Sequence, residues 1–250
     1  MKNLHNHTTW SDGSMTIMEL ALEAKSRGIT ELGVSDHFET DKTKCFLGRE
    51  NIPQYIKEIR EVEIETGLKI YAAAEVDLMN ITQRMAILPY TFPDFELNKL
   101  DYVLFEYAGS KFAYSTSPNP WIKGDRGSSG NTWQLFLKFR KLIKKPVFLA
   151  HPRFDLSFTE PDEAIVKVLK TLNIGLDLNS GDRNTVKNIE SPNNEKIFHY
   201  MMRMNIYKRA AEEGVSFITG SDTHAEKDEI SDVIHAHNFA MKIKCKLYGQ

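Results

Sequence analysis

Seven short apolar runs, each ending in polar residues of ligand type, constrain this chain more than any other feature. They begin near Lys2, Ile29, Lys69, Leu100, Pro146, Ile174 and Val215. At their carboxyl ends stand His5 and His7, Asp36 and His37, Glu75, Glu106, His151, Asn179 and Ser180, and finally Asp222 and His224. Runs of this length bounded by polar residues read as buried strands. Helical patterns lie between most of them. Thr16 and Glu19 have capping-box spacing ahead of Ile17, Leu20, Ala21 and Ala24, and Gly28 closes that segment. A second pattern, with Ile52, Ile56, Ile59 and Val62 on one face, runs from Asn51 to Gly67, and others cover about 133–143, 162–172, 195–213 and 229–244. Strands alternating with helices imply a parallel sheet.

Polar residues gathered at the carboxyl ends of all the strands fit an α/β fold of the barrel kind, a distorted seven-stranded TIM-like (β/α)7 barrel with its site at that face. An open doubly wound sheet is the alternative, but it would draw its site from only a few strands at one switch point. At 250 residues, with 41% hydrophobic and 26% charged residues, one barrel-sized domain over 1–250 is expected. The long connection at about 107–131, rich in Gly, Ser and Pro, reads as a lid or an insert. The first strand begins at the amino terminus and the last helix ends near Gln250, so no attached polymerase domain is expected.

A net charge of -2 gives no general attraction to nucleic acid or anionic membrane, and no basic, aromatic-studded stripe is evident. No apolar run approaches the roughly 20 residues of a membrane span, and the polar start is unlike a signal peptide. A cytoplasmic protein is expected. Cys45 and Cys245 lie far apart in unlike contexts and read as ordinary reduced thiols.

The densest ligand motif is the stretch His-Asn-His-Thr-Thr-Trp-Ser-Asp-Gly from His5 to Gly13. In an extended chain His5 and His7 point the same way, and the turn-prone Ser-Asp-Gly lets Asp12 fold back toward them. Of the eight histidines, His5, His7, His37, His151 and His224 fall at strand ends, whereas His199, His235 and His237 fall in helical patterns and are expected to be incidental. Asp12, Glu75, Glu106 and Asp222 add carboxylates, giving nine candidate ligands, too many for one tetrahedral ion. Two or three divalent ions are implied, and mixed imidazole and carboxylate suits Zn, Fe or Mn. Glu75, in the middle of the set, is the natural bridge between ions.

These pieces together resemble the polymerase and histidinol phosphatase (PHP) family: His5, Asn6 and His7 with Asp12, then Ser35, Asp36 and His37, then Glu75, His151 with Pro152, and Gly220 through His224. The resemblance implies the family's seven-stranded distorted barrel and three metals. His5, His7, Glu75 and Asp222 would hold the first, Glu75, Glu106 and His151 the second, and Asp12, His37 and His224 the third. Glu106 departs from the histidinol phosphatase pattern, which has a histidine in that motif, and is more similar to the capsule-related tyrosine phosphatases.

A hydrolase acting on phosphoric ester bonds is therefore expected. A hydroxide bridging the metals would attack the phosphorus of a small phosphomonoester, such as histidinol phosphate or a nucleotide, sugar or tyrosine phosphate. Arg153 and Arg183, each following a strand end, are placed to hold the phosphate, with Lys111 and Arg126 on the long loop behind them. Asp36 is placed to orient His37 or relay a proton. Phosphodiester cleavage of a nuclease-like kind is the competing reading, and a metal-loaded regulatory module without turnover is a third.

Overall fold

The computed structural model describes residues 1–40, 43–77, 92–106, 137–152, 161–180, 204–224 and 227–249. The connection at 107–131, with Lys111 and Arg126, lies outside them, as do Arg153, Arg183 and His199.

Among the described residues nine strands form the sheet: β1 (Lys2–Asn3), β2 (Glu31–Val34), β3 (His37–Phe38), β4 (Lys69–Asp77), β5 (Tyr102–Glu106), β6 (Val147–Ala150), β7 (Ile174–Asn179), β8 (Ser216–Gly220) and β9 (Lys246–Leu247). The order is β1-β2-β4-β5-β6-β7-β8-β9, with β3 paired to β4 off that path. Every pairing is parallel. The sheet then curls back on its own beginning. Leu4 N–H donates to the Thr219 carbonyl at 2.7 Å, Asp222 N–H to His5 at 2.9 Å, and His7 N–H to Thr223 at 3.0 Å. The fold is thus a distorted TIM-like α/β barrel with its first and last main strands in contact.

All seven expected strands are present. The two additional ones, β3 and β9, are only two residues long, too short to show a period in the sequence. β3 matters for the site, because its register sets His37 opposite Glu75.

The helices follow their end signals. The first, α1 (Ile17–Ser26), has the full capping box, Thr16 accepting from Glu19 N–H while the Glu19 carboxylate accepts from Thr16 N–H. The second, α2 (Ile52–Thr66), ends at Gly67, whose φ of 65° is a conformation glycine takes without strain. Helices Asp162–Thr171 and Met204–Glu212 lie within expected spans. The last opens as a 3-10 turn, Lys227–Asp232, before the α-helix Val233–Ile243. Among the described residues, no helix is long and apolar enough to cross a membrane.

Two clusters of buried side chains divide the strands by their period of two. Ile70, Ala72, Ala74 and Val76 of β4 and Val103 and Phe105 of β5 join the large layer between sheet and helices. Leu4, Ala73, Tyr102, Leu104, Phe148, Ala150 and Ile218 fill the inside. Alternation therefore puts Glu75 on the face of Ala73, and Glu106 on that of Tyr102 and Leu104. Both acids crown the inner cluster at the carboxyl ends of their strands.

Candidate metal centre

The nine expected ligand residues converge. His5 and His7 point the same way, their Nε2 atoms 3.2 Å apart, while Asn6 between them faces the opposite direction. The Asn6 amide donates to Asn3 and to the Gly33 carbonyl, and its oxygen accepts from Ser221 at 3.0 Å. One residue thereby ties the first strand to both neighbours, and alternation along the extended chain turns the two imidazoles the other way.

Glu75 stands among four imidazoles. Its Oε2 lies 3.5 Å from His5 Nε2, 3.4 Å from His7 Nε2 and 3.1 Å from His37 Nδ1, while Oε1 faces His151 Nε2 at 3.0 Å. Asp222 Oδ1 lies 3.1 Å from His7 Nε2 and 3.4 Å from His5 Nε2. On the outer side, Asp12 Oδ1 is 3.4 Å from His224 Nε2 and 3.8 Å from His37 Nε2. Glu106 is buried, unlike a surface acid, and brings a carboxylate oxygen within 4.8 Å of ligand atoms of His37 and Glu75.

Four groups have ligand atoms close enough to hold an ion: His7, Asp12, His37 and His224; His5, His7 and Glu75; His5, His151 and Asp222; and His37, Glu75 and Glu106. They share members, and they overlap the three sets implied by the resemblance without coinciding with them. His7 joins the outer group, and Glu106 falls beside His37 while His151 falls beside His5.

The residues fit metal on an independent ground. His7 Nδ1, His37 Nδ1, both Glu75 oxygens and Asp222 Oδ1 are buried without a hydrogen bond. Such atoms are costly to bury unless something else satisfies them. Charge points the same way. Burial lowers the affinity of His5 for its proton, but the carboxylates of Asp222, Glu75 and Asp177 outweigh it and hold that pKa well above the usual value. Burial likewise opposes charge on His151, yet Glu75 raises it to about 9. Burial alone would raise Glu75 and Asp222, but His5 with His37, and His5 with His7, hold them well below the carboxylate range. His7 goes the other way, lowered by burial and by the adjacent His224 and His37. A cluster whose carboxylates draw protons onto imidazoles is one that divalent cations would satisfy.

The backbone is strained where the ligands sit: Asp222 has φ 55° and His151 φ 26°, in the left-handed region that non-glycine residues rarely enter. Gly220 has a different reason for its identity. A Cβ there would lie 2.4 Å from His5 Cβ, so this turn passes His5 only as glycine.

Asp36 does not do what its position beside His37 led us to expect. Its carboxylate accepts from Thr8 N–H at 2.7 Å, Thr8 Oγ1 at 2.8 Å and Ser11 Oγ at 2.6 Å. It holds the loop between His7 and Asp12 in shape through these three bonds. His237 is not incidental either. Its Nε2 lies 2.9 Å from Lys2 N and 3.2 Å from Thr219 Oγ1, joining the last helix to β1 and β8 away from the cluster.

One buried acid of the site was missed. Asp177, fully buried on β7, lies 2.7 Å from His5 Nδ1. The sequence expectation places only Asn179 and Ser180 at the end of that run. The available signal was the alternation of Ile174, Leu176 and Leu178 with Gly175, Asp177 and Asn179, which puts Asp177 on the inner face.

Comparison with known proteins agrees with this geometry. The PHP domain family matches residues 3–180. A curated relative, the DNA polymerase/3'-5' exonuclease PolX of Bacillus subtilis, is 32% identical over 78 residues, 31% of this chain and 14% of PolX. The chain thus matches only a small part of that relative's length. Among solved structures, histidinol phosphate phosphatase from Lactococcus lactis, complexed with zinc, L-histidinol and phosphate, superposes with a TM-score of 0.62 at 17% identity, covering 98% of this chain and 94% of that one. A chain from the structures of the metal-dependent tyrosine phosphatases YwqE from Bacillus subtilis and CpsB from Streptococcus pneumoniae gives a TM-score of 0.52 at 16% identity, covering 97% of this chain and 87% of that one. At these identities the structural likeness speaks to the fold.

Proposed function

Since this chain belongs to the PHP domain family, we propose that it is a metal-dependent phosphatase acting on a small phosphomonoester. The observation that carries this reading is the placement of Glu75, whose Oε2 faces His5, His7 and His37 while Oε1 faces His151, so that each oxygen has imidazole donors of its own, as a bridge between ions requires. In this reading His5, His7, Asp12, His37, Glu75, Glu106, His151, Asp222 and His224 hold two or three ions. Divalent ions bound there would supply Lewis acidity toward the phosphoryl oxygens and a water activated at neutral pH.

The chain's own residues do the rest. Asp36 fixes the loop that aims His7 and Asp12, and the buried network around Asn6 fixes His5 and His7, so the donors need little rearrangement on binding. Arg153 and Arg183 remain our proposed phosphate-holding groups, since guanidinium matches phosphate in shape and charge. Zinc accompanies phosphate in the histidinol phosphate phosphatase and supports Zn beside Fe and Mn as the ion. Glu106 weighs against histidinol phosphate and toward tyrosine phosphate and related monoesters as the substrate.

The PolX likeness favours a second reading, cleavage of a phosphodiester. Release of inorganic phosphate from a panel of aryl, nucleotide, sugar and amino-alcohol phosphates, beside a bis-aryl phosphate, separates the two. Monoesters are expected to be hydrolysed faster than the diester once metal is supplied. Faster diester cleavage would transfer the proposal to the nuclease-like reading.

A further inference from the structure

The barrel interior beneath the metal centre holds a charged side chain that none of the proposed chemistry has used. Asp177 is fully buried, and its Oδ2 meets three nitrogens: His5 Nδ1 at 2.7 Å, Asn179 Nδ2 at 3.2 Å and the His151 backbone nitrogen at 3.3 Å. An ionised carboxylate can only accept, so the His5 ring proton belongs on Nδ1. The approach of Asn179 Nδ2 to His5 Nδ1, 3.2 Å, then follows from both donors converging on one oxygen. With Nδ1 engaged, His5 directs Nε2 toward Glu75 and Asp222, the nitrogen whose proton a metal would displace. The same oxygen accepts from the backbone of His151, the residue at φ 26° whose ring faces the opposite oxygen of Glu75.

Building on the metal-centre reading above, we infer that Asp177 is a positioning residue: through the His5 ring and the His151 backbone it sets the spacing of the two ligands that face different oxygens of Glu75. A carboxylate behind a metal-binding imidazole fixes its tautomer and strengthens it as a donor, and loss of such a partner typically costs about 10–100-fold in metal affinity. A second consequence is selectivity within the cluster. The hydrogen bonds of Asp177 go to His5, Asn179 and the His151 backbone, on the inner side of the cluster, so the ion position formed by Asp12, His37 and His224 is expected to depend on it least.

The test is manganese titration of the full chain and of Asp177→Asn, which keeps the size and removes the charge. The variant is expected to bind the ions held by His5 and His151 about 10–100-fold more weakly, with the outer ion least affected. A purely structural role would weaken all ions together and lower thermal stability equally with and without metal, and that pattern would overturn the inference. So would a variant that binds all ions as tightly as the parent. Should the variant fail to fold, nitrogen-15 histidine spectra of the zinc-loaded parent decide: His5 protonated on Nδ1 with Nε2 on the metal is expected, and protonation on Nε2 overturns the role. The two claims fail separately. A parent that binds no manganese defeats the metal centre itself, whereas a loaded parent with an equally loaded variant defeats only Asp177.

Discussion

Replacing Glu75 with Gln is expected to remove most of the bound metal and to lower phosphate release by roughly 100-fold or more, since a ligand should matter at least as much as the partners behind it. The substitution keeps the shape and takes away both the charge and one acceptor. Glu75 Oε2 faces His5, His7 and His37 while Oε1 faces His151, so no orientation of an amide offers oxygen to both sides. Ions on each side lose a ligand at once. His237→Gln is the control, because His237 bonds Lys2 and Thr219 rather than the cluster. Its loss should lower thermal stability while metal content holds. Metal analysis of the two variants beside the parent checks both statements, and a fully loaded Glu75→Gln protein with near-normal turnover would refute the bridge.

Stripping the metal should cost stability as well as activity. Buried carboxylates and imidazoles remain, several of their atoms without hydrogen bonds, and the ions that satisfied them are gone. Restoring an ion at about 100 times its dissociation constant adds about 2.7 kcal/mol per independent site. For a chain of this length that corresponds to a rise of roughly 5–10 °C in Tm. Stripped protein should also respond to pH in a way loaded protein does not. The pKa of His151 is raised to about 9, so its contribution is complete below its ordinary value of about 6.5 and is lost as pH rises through about 9. Melting curves of stripped and reloaded protein between pH 6 and 9, on the order of three units, check this: the gap between them should widen as pH rises. Equal melting curves would contradict it.

Much of the architecture was legible because each ligand follows an apolar run long enough to show its boundaries. Glu75 closes a run from Lys69, Glu106 one from Leu100, and His151 one from Pro146, and in a parallel barrel all such ends meet at one face. Capping signals were equally local: Thr16 with Glu19, and Gly67, mark helix ends within a few residues of the bonds they make. What the sequence hid depends on distant neighbours. β3 and β9 take their identity from pairing with β4 and β8, not from their own two residues. The partners of Asp36 are hidden because adjacency to His37 in the chain says nothing about which donors its side chain meets. Those donors, Thr8 and Ser11, come from the preceding loop. His237 joins Lys2 across 235 positions, a contact no local pattern announces. Asp177 was hidden differently, since its alternation was visible but its partner lies on another strand.

That these nine residues form one metal cluster organised by Glu75 is tested most directly by anomalous diffraction from crystals grown with manganese or zinc. Two or three anomalous peaks are expected among the nine side chains, with a Glu75 oxygen coordinating each of two neighbouring ions. Peaks only elsewhere on the protein, or a single ion that Glu75 does not touch, would contradict it.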